Sequence, residues 1–230
     1  MQKWKRLLNL ALPIIVFGSL SVMFLASADP FARDYLCRLA CVRSEHADAL
    51  NKIAYDIAAG SLVSVIFYYL VVRLPDFLKR TRIKRFLSAQ YRAFKIDCIA
   101  IFLGLADGSY DGGLPENLLS QATFREYFHN SRWSAVANGL QGVHLDALIN
   151  RMEAFRDDIL FVLNNADIGN DQSFEFFQRL SSIIYERKKA DPDYDGIKSL
   201  CRFLWEMFSG WSFVDGYAKS DIVEDMIKAI

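Results

Sequence analysis

Two uncharged apolar runs, residues 7–26 and 57–72, restrict this chain more than any other feature of it. A bilayer core of about 30 Å takes roughly 20 apolar residues as helix, because no backbone N–H or C=O can stay unpaired in hydrocarbon. The first run has that length. The second counts 16 residues and reaches span length by taking in residues 53–56 or 73–74. The reading is of two N-terminal transmembrane helices within residues 1–75, joined by an outer loop of about residues 27–52.

Charge orients them. Lys3, Lys5 and Arg6 precede the first run, and Arg73, Lys79, Arg80, Arg82, Lys84, Arg85, Arg92 and Lys95 follow the second, opposed only by Asp76. The loop between is neutral. Lysine and arginine in short flanking segments stay on the cytoplasmic side. The expected placement is therefore a bacterial inner membrane, multi-pass, with both termini cytoplasmic. The formal net charge of zero hides a division, since residues 1–95 carry 15 Lys/Arg against 6 Asp/Glu and the remainder carries 12 against 21. A rival reading treats the first run as a secretory leader, because Ala26-Ser27-Ala28 fits a leader-peptidase site. Its length exceeds the usual 7–15 residues of such a segment and favours a retained span.

Inside the runs the polar and small residues are the candidates for function. Asp56 stands at the outer edge of the second span, where an ionisable side chain lines a polar path, pairs with a neighbour or lies among headgroups. Gly60 and Ser64 form a small-xxx-small step and Gly18 is the small residue of the first span; such residues let helices approach closely, within a protomer or in a homo-oligomer. Cys37 and Cys41 fall in the outer loop, in an oxidising compartment. They are candidates for a disulfide within or between protomers, against the alternative of two free thiols.

Past Pro75 and Asp76, which signal a break or helix restart, Ile83, Leu87, Tyr91, Phe94, Cys98, Ile101 and Leu105 recur at steps of four and three. That is one apolar helix face. Arg80, Lys84, Arg85, Arg92 and Lys95 occupy the rest of the circumference, so residues 76–106 read as a basic amphipathic neck. Three uses stay open: docking on the following domain, a seam between protomers, or a grip on nucleic acid.

Residues 107–230 read as a cytoplasmic helical bundle. A helix opens at Pro115 and runs to about residue 128; a second covers 143–165. Gly169-Asn170-Asp171 caps a third, with Phe174, Phe177, Leu180, Ile183 and Ile184 on its apolar face. Asp193 and Asp195 introduce a fourth, and Ser220-Asp221 caps a short last one. No strand pattern competes, and the fold class is all-α. Neither a cofactor nor a metal site is expected. His46, His129 and His144 stand alone, the Asp191, Asp193 and Asp195 cluster is interrupted by Pro192, and no phosphate loop, dinucleotide fingerprint or nucleophile elbow occurs. No catalytic residue is identified, so an enzyme is not expected.

The phrases FEFFQRLSSIIYE (174–186), DPDYDGIKSLCRFLWEMFSGWSFVDGY (191–217) and DIVEDMIKAI (221–230), with the neck SVIFYYLVVRLPDFLKRTRIKRFLSAQYRAFKIDCIAIF, carry a resemblance. The chain resembles bacterial two-transmembrane helical membrane proteins that serve as effectors in anti-phage, retron-type defence systems. The resemblance implies a membrane effector held silent by a reverse transcriptase and its DNA–RNA product; it assigns no role to single residues. Its most distinctive part is the aromatic phrase Trp205, Trp211, Phe213 and Tyr217, which is a partner surface if exposed and core if buried.

Overall fold

The computed structural model describes residues 2–25, 46–129, 131–165, 168–189, 194–212 and 216–230. The chain divides into two compact units, Met1–Leu78 and Lys79–Ile230. The fold is all-α apart from one two-residue ladder. Cys37, Cys41 and Phe213 lie outside the described residues.

The first unit contains α1 (Gln2–Leu25) and α2 (His46–Tyr68), which pack on each other. Their buried small residues are Ser19 and Ala58. Around them the surface is large and apolar: Phe17 is 71 % exposed, Ile14 70 %, Val63 66 % and Phe67 65 %. The hydroxyls turn inward on their own helices, with Ser21 donating to Phe17 O, and Ser61 to Ile57 O, each at 2.8 Å. That arrangement leaves few polar groups for a surrounding solvent to satisfy. By length and composition, one helical stretch among the described residues qualifies to cross a membrane. It lies within Lys52–Asp107, where the most apolar window has a mean hydropathy of 1.9. The other apolar stretch, Ala11–Phe24, is shorter. Two spans were expected, and one helical stretch among the described residues is long and apolar enough to be one.

Of the break or restart expected at Pro75 and Asp76, the structure shows a restart: an α-helix begins at Leu74 with no gap in the chain's helical course. The turn before Pro75 widens into a π-helical segment, Tyr69–Arg73, where the N–H of Leu74 reaches Tyr69 O, and α3 (Leu74–Asp107) follows directly. Proline lacks an N–H and its ring crowds the carbonyl four residues earlier; one extra residue in the turn relieves both problems.

From Lys79 onward α3 belongs to the second unit. Ile83, Leu87, Tyr91, Phe94 and Cys98 are buried, joined by Ile99, Phe102 and Leu103. Around α3 stand α4 (Leu114–Asn117), α5 (Gln121–Tyr127), α6 (Ser131–Gly139), α7 (Val143–Asn165), α8 (Asp171–Lys189), α9 (Tyr194–Ser209) and, after the ladder, α10 (Ile222–Ala229). Phe102 has the rings of Phe124, Phe128, Trp133 and Phe208 around it at 5.3–6.3 Å, all four in edge-to-face contact. Phe94 stacks on Phe155 at 4.8 Å.

Four local features depart from expectation. The helix expected over residues 115–128 is two helices, because Ser120 is extended (ψ 141°) and its Oγ accepts the N–H of Thr123 as the cap of α5. Helix α6 was not anticipated, being a short polar segment with Val136 as its one fully buried residue. A hairpin was not anticipated either: β1 (Trp211–Ser212) pairs antiparallel with β2 (Gly216–Tyr217). Gly210 and Gly216 have positive φ, and a Cβ on Gly210 would collide with the Gln121 side chain. On α8 Phe177, Leu180 and Ile184 are buried as expected and Ile183 is half-buried, but Phe174 is exposed; Ser173 joins the buried face instead, donating to Met226 O at 3.1 Å.

Phe102→Ala removes the ring at the centre of this cluster. The expected loss is about 3–5 kcal/mol of stability, read as a lower denaturant midpoint of the detergent-solubilised protein by near-ultraviolet circular dichroism.

Candidate functional site

Tyr91 and Lys95 lie one helical turn apart on α3 and point toward the start of α10. Lys95 was expected on the solvated circumference of the neck; it is 3 % exposed. Its Nζ donates to Asp221 Oδ2 at 3.0 Å, and Tyr91 Oη donates to the same oxygen at 2.9 Å. Asp221 also caps α10, Oδ1 accepting the N–H of Val223 at 3.0 Å and more weakly that of Glu224 at 3.4 Å. The carboxylate thus collects a helix N-terminus, a phenol and an ammonium, and such charge-assisted bonds in a low-dielectric setting are the strong ones. Lys84 adds a second tie, its Nζ donating to Lys228 O at 2.7 Å near the far end of α10.

The other basic residues lie nearer the surface. Arg92 approaches Glu116 at 3.7 Å with both side chains more than half exposed, and Arg85 is exposed. Arg80 lies against Gly169, where a Cβ would stand 2.8 Å from its Nη1. In the first unit Asp56, Gly60 and Ser64 are exposed and spaced by four, with Ser64 donating to Gly60 O at 2.8 Å. Within the chain neither Gly18 nor Gly60 marks a close approach, since a Cβ on either would meet nothing within 4 Å.

The aromatic phrase is divided. Trp211 and Tyr217 are partners in the ladder. Tyr217 is 53 % exposed, with the Arg125 guanidinium 4.4 Å from its ring centre. Half-buried Trp205 is elsewhere, its ring 5.1 Å from that of Trp133. Those two indoles line a groove of about 810 Å³ between α6 and α9, with Asn138, Gln141, Lys198 and Arg202 among its polar residues. Trp133 was not singled out from the sequence; its partner in the groove is 72 residues away, and no local pattern links them.

Burial raises the pKa of several groups in this unit. It holds the Tyr91 phenol well above its ordinary range, with the Asp221 charge adding to the effect. It likewise raises the Cys98 thiol, and pushes the Cys201 thiol up to about 11.

No family model, characterised protein or solved structure matches this chain.

Asp221→Asn leaves the Lys95 ammonium buried opposite a neutral group. A loss of about 3 kcal/mol or more is expected, measured by denaturant unfolding, and the double variant with Lys95→Met recovers part of it. The raised pKa values set a second expectation. Unfolded thiols and phenols ionise from about pH 8.5 to 10, while the folded groups keep their protons to higher pH. Their stabilising contribution is therefore whole below that range and declines as pH rises through it. The unfolding midpoint should fall toward pH of about 11, less steeply in Cys201→Ala.

Proposed function

We propose that the protein is an inner-membrane effector of an anti-phage system. In this reading α1 and α2 both span the bilayer, the termini are cytoplasmic, and the helical domain is restrained by a partner and releases the spans to perturb the membrane. The observation that carries the membrane part is the outward apolar surface of the first unit. Phe17, Ile14, Val63 and Phe67 face outward, and contiguous apolar surface on this scale calls for lipid or protein cover. The second unit is built differently, with a closed core and exposed charge, as a water-soluble domain requires. The effector part rests on the resemblance of residues 51–230 to two-span effectors of retron-type systems, which makes a reverse transcriptase and its DNA–RNA product the partners to test.

A second reading is favoured by the Trp133–Trp205 groove, which offers a partner surface without requiring membrane damage. The protein is then a membrane-anchored adaptor.

Expression with its genomic neighbours during phage infection separates the two. An effector gives propidium iodide entry and loss of membrane potential before lysis, with the protein in the carbonate-resistant membrane fraction. Arrest of infected cells with intact membranes overturns permeabilisation and leaves the adaptor. Recovery of the full chain in the soluble fraction overturns both.

A further inference from the structure

A cleft of about 540 Å³ opens over the Tyr91–Lys95–Asp221 cluster, bounded by α3, α5 and the residues leading into α10. At its floor the Lys95 ammonium has three N–H donors and one hydrogen-bond acceptor among the described residues, Asp221 Oδ2. Asp221, in contrast, is saturated: its two oxygens take the ammonium, the phenol and two backbone N–H groups. The carboxylate is spent on closing α10, and the ammonium keeps donors to spare.

Three further cations border the cleft on different elements. Arg92 is on α3, Arg125 on α5, and Lys219 lies two residues before Asp221. Arg125 uses Nη1 on Ser209 O at 2.8 Å, and the remaining edges of its guanidinium are donors as well. Glu116 holds Arg92 only at 3.7 Å, with both side chains in solvent. Against the four cations stand Asp221, already committed, and Glu224 at the margin. Ser88 and Ser120 add hydroxyls.

We propose that this cleft binds the phosphate group of a phosphomonoester, with Lys95 beneath it and Arg92, Arg125 and Lys219 around it. Cations lining one cleft from α3, α5 and the segment before α10 suit a dianion with three terminal oxygens better than a planar carboxylate, which one guanidinium pairs in full. The volume falls within the range of small-molecule sites and leaves room for an organic part. Leu119 and Ala122 supply an apolar wall for that part. The proposal does not depend on the effector reading, because the cleft belongs wholly to the second unit.

The test is isothermal titration of the full chain in dodecyl maltoside with inorganic phosphate, phenyl phosphate and dihexanoyl phosphatidic acid. Phenyl phosphate should saturate one site per chain, with inorganic phosphate competing for it. The double variant Arg92→Gln, Lys219→Gln should bind about tenfold more weakly, as expected when charge-assisted bonds are lost, with an unchanged far-ultraviolet spectrum. Arg179→Gln on α8 should bind as the parent does. Binding of the phosphatidic acid alone, with the same loss in the double variant, identifies a lipid headgroup as the source of the phosphate and sustains the site. Failure of all three probes to saturate, or equal binding by parent and double variant, overturns it.

Discussion

Burial of one face of α3 is the constraint from which the second unit follows. A helix carrying Ile83, Leu87, Tyr91, Phe94, Cys98 and Phe102 on adjoining stripes cannot leave them in water, and α5, α6, α7 and α9 each bring an aromatic ring against it. The walls are aromatic to an unusual degree, with Phe124, Phe128, Trp133, Phe155 and Phe208 in ring contact with α3 or with one another. Flat rings set edge to face fill irregular space at high density, which lets short helices such as α5 and α6 be held by a core they could not form alone.

The first unit obeys the opposite rule. Its α1–α2 contact buries small residues, while phenylalanine, isoleucine and valine face out. Such a surface is stable where the surroundings are apolar, and there the serine hydroxyls must find partners on their own helices, as Ser21, Ser61 and Ser64 do. Two kinds of interior therefore occur in one chain. In the second unit the solvent is excluded by side chains; in the first, the exposed side chains call for an apolar environment.

Closure of the second unit turns on a polar contact. The last helix is short, with Val223 and Ile227 as its buried residues, and Asp221 both starts it and ties it to Tyr91 and Lys95. Burying an ion pair costs desolvation that the pair itself barely offsets, so its use here is better understood as fixing where α10 docks than as adding stability. The same choice leaves an ammonium short of acceptors at the base of a cleft. The position of α10 and the chemistry of that cleft are thus two consequences of one carboxylate.

Periodicity alone determined the all-α class, the apolar stripe of α3, the extent of α7 and the capping of α10 by Asp221, because these depend on neighbours three or four residues away. Tertiary structure decided the rest. Lys95 read as part of the solvated circumference of its helix, yet it is buried against a carboxylate 126 residues away. Trp205 and Trp211 are close in sequence but serve different surfaces, because Gly210 turns the chain between them through a positive φ. Pro75 signalled a break or restart, and a widened turn let the helix restart without a gap. A sequence records what each residue prefers locally; which distant group arrives to satisfy or override that preference is settled only when the chain packs.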